Sequence, residues 1–463
     1  MSSVDLPSAP TVGEALGPPL RAITLGMLAL VSILAFEQLA VATAMPVVAR
    51  ALDGMRLYAA AFGSAMAAGV AGMALAGRWC DSAGPAPALW SGVAAFVLGM
   101  LGAGLAFDMS QLVLGRALQG FGGGLMSVAL YVVVGQVYPR QLHPRIFAAF
   151  AAAWVVPAIV GPSLAGLIAQ HLGWRWVFLS AAVLAVAAAL LLRHGLRRLP
   201  PRVSRPPPLH GSVASRAGLW VAAAVAAAAG SLYAGGLGSG RGGLKMGCAL
   251  LVIGILAPRL LPPGTLSGRR GLPAVIALRG LAAAAFFAGE VLIPLLLVTE
   301  RGLSPTQAGL VLTSGALGWS AGSWFQGRDG RGRSQGARVR VLRTGMAAIA
   351  VGMLAVALVA LPGVPLVLAG LAWTVAGVGI GVVYPTLSVL TLELAPAAEQ
   401  GSASSALQLS DALMSAVGLA LASVLLAALL SWSPTLAYLA GFGVAAAIAL
   451  AGVGLASRAW PPG

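Results

Sequence analysis

Long apolar segments separated by short polar turns make up the chain from residue 22 to residue 456. A helix needs about 20 mainly apolar residues to cross a membrane, whereas a membrane strand needs about ten alternating ones. The pattern therefore predicts fourteen membrane-spanning helices. They lie near residues 22–44, 57–76, 88–107, 111–137, 146–170, 175–193, 218–236, 244–261, 273–299, 306–326, 343–361, 365–391, 403–430 and 434–456.

These segments divide into two groups of six on either side of a central pair. The division is 1–21, an amino-terminal segment; 22–193, a six-helix bundle; 194–217, a basic, proline-rich linker; 218–261, an additional two-helix hairpin; and 273–456, a second six-helix bundle. A glycine–arginine pair ends the second span of each bundle, at Gly77-Arg78 and at Gly327-Arg328. Two related halves are typical of transporters, whose binding site lies between the repeats.

Composition supports a membrane protein and narrows its partners. Hydrophobic residues make up 59% of the chain and charged residues 9%, whereas soluble domains are about 25% charged. The formal charge of +16 is spread over short loops rather than along one face, which argues against nucleic acid as a partner. The first apolar segment is long and follows acidic rather than basic residues, so we expect an uncleaved helix.

The basic residues also predict the orientation, because cytoplasmic loops are enriched in Lys and Arg. With the amino terminus inside, 21 of the 28 basic residues are cytoplasmic, including those from Arg259 to Arg279, and six lie outside. We therefore expect a multi-pass protein of the plasma (inner) membrane, in contact with lipid, with both termini in the cytoplasm.

The residues that usually carry catalysis or bind cofactors form no recognisable site in the sequence. Cys80 and Cys248 lie in different segments, and the four histidines lie in or beside loops without metal-ligand spacing. The chain has no P-loop, Rossmann fingerprint or Ser/His/Asp set attached to a soluble domain. We expect a protein that is not an enzyme, holds no metal or cofactor, and is driven by a proton gradient rather than by ATP.

Two charged residues interrupt the apolar segments at similar depths. Arg116 and Gln119 lie in an apolar run that continues to Val137, where an unpartnered guanidinium costs roughly 2.5–3.5 kcal/mol. At about 1.5 Å per residue, Glu37 lies roughly 24 Å and Arg116 roughly 21 Å above the cytoplasmic surface. We expect Glu37 and Arg116 to pair with each other, or to alternate between this pairing and contact with a substrate or proton. A fixed structural ion pair is the alternative.

Glu290 and Asp411 are the other acidic candidates within the spans. A carboxyl among apolar groups can take up a proton near physiological pH and act as a proton switch. The alternative is a hydrogen-bonded carboxyl that only joins helices. Aromatic residues near these acids are candidates for a cation-binding wall, although packing is the simpler explanation for each of them. They are Tyr131, Trp154, Phe286, Phe287, Trp373 and Tyr384.

Three motifs in order, at the appropriate helices, resemble the major facilitator superfamily and in particular its 14-helix drug:proton antiporter branch. The matching stretches are Phe36 to Pro46 for the first helix, with Glu37 where Asp is usual, Arg116 to Gly120 for the fourth, and Gly161-Pro162 through Gly166 for the fifth. The resemblance covers residues 20–456. It implies two six-helix bundles of major facilitator type plus the central hairpin, and a role for Arg116 in proton coupling. It also associates the fifth-helix motif with antiport, its Gly-Pro pair permitting close packing and bending.

A cytoplasmic gating loop belongs to the same resemblance. Gly77, Asp81 and Gly84 fit this loop, but Ser82 replaces its basic residue and prolines replace the basic pair that follows. We expect Asp81 to cap or charge-pair with a neighbouring helix end. The candidates for conformational gating are therefore Gly77, Asp81, Gly84, Gly120, Gly161, Pro162 and Gly166.

The expected function is secondary active transport: proton-coupled efflux, by antiport, of hydrophobic or cationic small molecules through alternating access of the two halves. Glu37, Arg116 with Gln119, and Asp411 are expected to carry coupling or charge recognition, and Glu290 to face the cavity. The alternatives are export of a lipid or endogenous metabolite, proton-linked uptake by symport, and a non-transporting membrane sensor or scaffold. The expected partners are a small-molecule substrate, protons and lipid, and a monomer is expected.

Overall fold

The computed structural model of the chain describes residue 17 and residues 20–196, 216–234, 242–329 and 334–460. Apart from short 3₁₀ turns, these residues form α-helices and no strand. The helices are α1 (Arg21–Ala51), α2 (Tyr58–Ala83), α3 (Pro85–Gly104), α4 (Met109–Val137), α5 (His143–His171), α6 (Arg175–Leu196), α7 (Arg216–Ala234), α8 (Gly242–Leu256), α9 (Leu272–Thr299), α10 (Pro305–Asp329), α11 (Gln335–Leu358), α12 (Val367–Leu394), α13 (Gln400–Leu430) and α14 (Pro434–Leu455). Residues 1–16 and 197–215, most of the predicted amino-terminal segment and linker, lie outside the described residues.

Eleven of the described helices are long and apolar enough to cross a membrane. α8, with 15 residues, is shorter than the roughly 20 residues that a span needs. α10 has 25 residues but carries polar side chains along its length, among them Ser314, Ser320, Ser323 and Gln326. The all-α multi-pass architecture is confirmed, whereas the count of fourteen transmembrane helices stays a prediction.

Each six-helix half has a hydrophobic core of its own. The core of α1–α6 includes the fully buried rings of Phe96 and Phe178, and the core of α9–α14 includes those of Trp373 and Phe442. Because close-packed interiors resist deformation, each half is expected to move as a unit. The two halves are therefore packed separately.

Glycines let α4 lie directly against its neighbours. A Cβ at Gly120 would collide with the Ala65 backbone of α2, and a Cβ at Gly122 would collide with the Phe96 backbone of α3. Small residues allow such close approach in membranes, where no hydrophobic drive brings helices together. The glycines of this run therefore place α4 in close contact with both α2 and α3.

The two halves meet along α2 and α13 and along α5 and α10. The end of α2 lies beside the start of α13, and we call this end of the molecule the Asp81 end. α13 runs away from the Asp81 end and α14 returns to it. α9 begins at the same end, because the N–H of Gly271 donates to the carbonyl of Arg458, just after α14. α7 packs mainly on α2 and also touches α13, so the central hairpin lies against both halves.

Arg279 lies inside a helix rather than in a loop. α9 begins at Leu272, so Arg279 is seven residues into it, and the side chain is buried. The prediction that grouped Arg279 with the basic residues of cytoplasmic loops is therefore wrong. It is a second guanidinium within a span, comparable to Arg116.

Candidate functional site

Glu37, Arg116 and Gln119 form a closed triangle between α1 and α4, which we call the N-half cluster. The Arg116 guanidinium makes an ion pair with Glu37 Oε1 and donates to Gln119 Oε1 at 2.7 Å. Gln119 Nε2 donates to Glu37 Oε2 at 2.8 Å. All three residues are buried, with exposures of 4–5%. The predicted pairing of Glu37 with Arg116 is confirmed, and Gln119, one helical turn after Arg116, contacts both partners.

The Glu37–Arg116 pair of the N-half cluster has no net charge, and a single proton on Glu37 would change that balance. Removing one charge from a buried ion pair leaves the other uncompensated, which costs about 3–5 kcal/mol. Protonation of Glu37 has this effect on Arg116, which then keeps the Gln119 oxygen as its acceptor. Arg116 Nε is buried and has no hydrogen-bond partner among the described residues. The arrangement can therefore respond to a proton or to an acceptor on a ligand.

A second ion pair joins buried Arg279 of α9 to partly buried Asp411 of α13. Arg279 Nη2 and Nε lie 2.7 and 2.8 Å from Asp411 Oδ2. The Tyr384 hydroxyl of α12 donates to Asp411 Oδ1 at 2.8 Å, and the guanidinium carbon of Arg279 lies 3.3 Å from the centre of the Tyr384 ring. Ser388 accepts from Arg279 Nη1 at 3.4 Å. We call these four residues the C-half cluster; within it Asp411 is paired and links three helices.

Arg279 was not among the predicted site residues, and Tyr384 was predicted only as an aromatic wall residue. The signal that identifies Arg279 is its position after six apolar or small residues of the predicted span 273–299. A guanidinium at that depth needs an acid as much as Arg116 does. Asp411, predicted near the middle of its own span, is that acid.

Asp81 caps the start of α13. Its Oδ1 accepts from the N–H of Gly401 at 2.6 Å, and its Oδ2 accepts from the N–H of Ser402 at 2.8 Å and from the Ser402 hydroxyl. The free N–H groups and the dipole at a helix N-terminus both stabilise a carboxylate there. The expected capping of a neighbouring helix end is confirmed, and this cap joins one half to the other.

Close contacts around the cap bring the halves together at the Asp81 end. A Cβ at Gly77 would lie 2.5 Å from the Cβ of Ser405 and 3.0 Å from the carbonyl oxygen of Gly401. The Ser405 hydroxyl donates to the Met73 carbonyl of α2 at 2.6 Å. Gly327, near the end of α10, lies against the first turns of α5. Both helix pairs that join the halves therefore meet at this end.

The other candidate gating residues have different surroundings. Gly84 has a φ of +80° between α2 and α3, a conformation that favours glycine. A Cβ at Gly161 would lie at an ordinary contact distance of 3.5 Å from the Phe36 ring, and one at Gly166 would meet open space. The close packing that the fifth-helix motif implies is therefore absent at these two glycines. The side chain of Pro162 lies outside the described part of the chain.

The charged groups lie at two depths. At about 1.5 Å per residue from the Asp81 end, Arg279 and Asp411 lie roughly 10 and 16 Å along their helices, and Glu37 and Glu290 roughly 24 and 27 Å. Glu290 is exposed and makes no hydrogen bond or ion pair with another described residue. Glu290 and the N-half cluster are thus farther from the joined end than the C-half cluster is.

Most of the predicted aromatic residues come together in the second half. Trp319 of α10 lies 5.4 Å from Phe286, 6.4 Å from Phe287 and 5.2 Å from Tyr384, measured between ring centres. Phe286 stacks on Trp373 at 4.4 Å. Tyr131 packs on Phe147 and Phe150 of the first half and also against the core of the second half, and Trp154 is exposed on α5.

The sequence model of the Major Facilitator Superfamily matches residues 25–418 of the chain. The chain belongs to the Major Facilitator Superfamily. Members of this superfamily are membrane transporters of small molecules and not enzymes, which confirms the expectation that this chain is not an enzyme. Superfamily membership and the many apolar helices together show a multi-pass membrane protein.

Several relatives in the superfamily are described as drug transporters. A probable multidrug-efflux transporter of Mycobacterium tuberculosis (strain ATCC 25618 / H37Rv) is 27% identical over 348 residues, 72% of each chain. Multidrug resistance protein 3 of Bacillus subtilis (strain 168) is 28% identical over 173 residues, which are 37% of this chain and 34% of that protein. An uncharacterized transporter of the same Mycobacterium strain is 32% identical over 214 residues, 43% of this chain and 29% of the relative. The last two matches span about a third of the relatives' length.

Solved superfamily structures share the fold. A human organic anion transporter superposes with a TM-score of 0.70 at 16% identity, covering 95% of this chain and 99% of that one. A proton:xylose symporter superposes with a TM-score of 0.65 at 15% identity, covering 94% of each chain. At these identities the likeness shows the fold alone.

Proposed function

We propose that this superfamily member is a secondary active transporter that exports hydrophobic or cationic small molecules in exchange for protons. The observation that carries the proposal is the presence of a buried ion-pair cluster in each half, together with the unpaired Glu290. Charged groups within spans mark ion and solute pathways, because burying them without a function is costly. The two relatives described as multidrug transporters support the substrate class.

Coupling is proposed to act through competition for the acids. A proton on Glu37 cancels the charge that balances Arg116, and a proton on Glu290 removes the free carboxylate that a cation would contact. Substrate and proton therefore occupy the same groups in turn, which is the requirement for antiport.

α13 connects the charged groups to the gate. Asp411 lies nine residues after Ser402, so one helix carries both the acid of the C-half cluster and the N-terminus capped by Asp81. Opening of the Asp81 end would separate α13 from α2 and expose the Arg279–Asp411 pair, which lies in the same half beyond the cap. Alternating access then follows as a rocking of the halves about the site.

The proposed setting is the plasma (inner) membrane, with both termini and the Asp81 end in the cytoplasm. In that orientation the joined end is the inner one. The protein is proposed to work as a monomer, with the proton gradient as its source of energy and no cofactor.

Reconstitution in liposomes with an imposed pH gradient tests the proposal. We expect addition of a hydrophobic cation such as ethidium to drive proton movement opposite to that of the cation, detected with a pH-sensitive dye inside the vesicles. Glu37→Gln, compared at equal amounts of incorporated protein, should lose this coupled movement. Glu300→Gln, which neutralises an exposed acid at the end of α9, should retain it.

Two other results would contradict antiport. Movement of protons and compound in the same direction would replace antiport by symport. Absence of movement for every member of a panel of neutral and cationic compounds would favour a non-transporting sensor or scaffold.

A further inference from the structure

The direction of Glu290 on α9 can be read from its neighbours. Successive residues of an α-helix are rotated by about 100°, so Glu290, eleven positions after Arg279, points roughly 20° away from it. Phe286, roughly 40° to one side of Glu290, packs on Trp319 of α10. Gly280, roughly 80° to the other side, lies against α13. Glu290 therefore points into the angle between α10 and α13, and its side chain is exposed there.

The space between α10 and α13 opens towards the first half. α10 packs on α5 and α13 packs on α2, so both helices that flank Glu290 contact the other half. A side chain between them faces the space between the halves rather than the lipid.

The balance of charge singles out Glu290. Among the acids in the described spans, Glu37 is paired with Arg116, Asp411 with Arg279, and Glu393 with Arg338. Asp81 is held by N–H groups at the start of α13. Glu290 alone among these acids has no hydrogen-bond or ion-pair partner in the described part of the chain. The space between the halves therefore offers one uncompensated carboxylate.

Aromatic rings adjoin this carboxylate. Phe286 and Phe287 precede Glu290 by four and three residues, which places them one helical turn away on the same side of α9. Phe287 and Trp319 are both partly exposed, with ring centres 6.4 Å apart. The indole nitrogen of Trp319 is buried and has no acceptor among the described residues. The partly exposed rings of Phe287 and Trp319 offer π faces to a cation.

We propose that Glu290, Phe287 and Trp319 form a subsite for an organic ligand that carries a single positive charge. This inference rests on the proposed transport function and narrows its substrate class. One charge is balanced by Glu290 and by the aromatic faces. A second charge on the ligand has no free carboxylate to meet and would be buried uncompensated, which is costly. The subsite therefore discriminates between monovalent and divalent cations of the same shape.

Binding to the purified full-length protein in detergent, without a pH gradient, tests the subsite. Tritiated tetraphenylphosphonium serves as the probe, with ethidium and propidium as competitors, since they share an aromatic core and carry one and two positive charges. We expect ethidium to displace the probe at a concentration about tenfold or more below that of propidium. Glu290→Gln should weaken probe binding by about tenfold, because the positive charge of the probe then has no counter-charge.

Matched variants keep the test specific. Glu300→Gln removes an exposed carboxylate from the end of the same helix and should bind the probe as the unmodified protein does. Trp319→Leu and Phe287→Leu should weaken binding while the preference for one charge remains, because Glu290 is still present. Size-exclusion profiles and thermal unfolding establish that each variant is folded.

The outcomes separate this inference from the proposed function. Equal displacement by ethidium and propidium, or unchanged probe binding in a folded Glu290→Gln variant, overturns the subsite, even if the protein exchanges protons for neutral compounds in liposomes. Binding with a preference for one charge but no flux of any compound overturns the transport function and leaves the subsite in place.

Discussion

Glu37, Arg116 and Gln119 are joined to one another by an ion pair and hydrogen bonds. The loss of stability on changing one of them therefore depends on whether its partner remains. Glu37→Gln leaves the Arg116 guanidinium buried without a counter-charge, and we expect the free energy of unfolding to fall by about 3–5 kcal/mol. The double variant Glu37→Gln/Arg116→Gln removes both charges and should recover most of that loss. Thermal unfolding in detergent measures both. A double variant that is less stable than Glu37→Gln would show that the two residues act independently.

Depth along the helices was enough to predict the Glu37–Arg116 pair, because each residue interrupts an apolar run at a height that can be counted from a helix end. The same counting fails for Arg279. The predicted span 273–299 already includes Arg279, but the basic residues Arg269 and Arg270 precede it closely, and it was grouped with them instead of being counted from the helix start. Its hydrogen bond to Ser388 and its stacking on Tyr384 depend on how α9 and α12 are placed, which no single segment encodes.

The helix α13 is held at its N-terminus by an acid from the other half, so removing that acid should loosen the joint. Asp81→Ala takes away the acceptor for two backbone N–H groups, a loss of about 0.5–2 kcal/mol. A loss of about 1.4 kcal/mol changes a population ratio tenfold. We therefore expect the separated form of the Asp81 end to gain population. Spin labels on exposed positions Ala83 and Ala398 would report a longer distance in pulsed electron paramagnetic resonance.

Asp108 provides the control for this experiment, because it caps α4 through the N–H of Gln111 at 2.8 Å and lies within one half. Asp108→Ala should lower stability by a similar amount and leave the distance between the labels unchanged. An unchanged distance in Asp81→Ala would mean that the cap stabilises α13 without holding the halves together.

Hydropathy locates the helices better than it locates their ends. α1 was predicted to end near residue 44 but continues to Ala51, through Pro46 and Arg50. Within a membrane the backbone has to satisfy its own hydrogen bonds, so a helix continues past the last strongly apolar residue until it reaches the interface. α10 shows a second limit of hydropathy, because its polar side chains make a long helix look less like a membrane span. It lies between α5 and α12, and a helix in contact with other helices can carry more polar side chains than lipid exposure allows.

The whole molecule combines two rigid halves with joints at one end. Both joints, α2 with α13 and α5 with α10, have their close contacts near the Asp81 end, where Gly77 and Gly327 leave no room for a side chain. The C-half cluster lies just beyond this end, and Glu290 and the N-half cluster lie farther away. Opening the Asp81 end therefore has to disrupt the Asp81 cap and expose the deeper Arg279–Asp411 pair, which links the gate to the charged groups in one movement.

A disulfide across the Asp81 end tests whether that end opens during transport. A Cβ at Gly401 would lie 2.9 Å from the Cβ of native Cys80 but also 2.2 Å from the carbonyl oxygen of Gly77, whereas the Cβ atoms of a disulfide lie about 3.5–4.5 Å apart. Gly401→Cys should therefore cross-link α2 to α13 once the two backbones move apart to admit the side chain. In a Cys248→Ser background, oxidation should reduce transport to the level of empty liposomes, and a reductant should restore it. Gly401→Ser introduces a similar volume without a thiol, so it separates the effect of the cross-link from that of crowding. If the cross-linked protein transports as fast as the reduced protein, the halves do not part at α2 and α13, and alternating access must use another route.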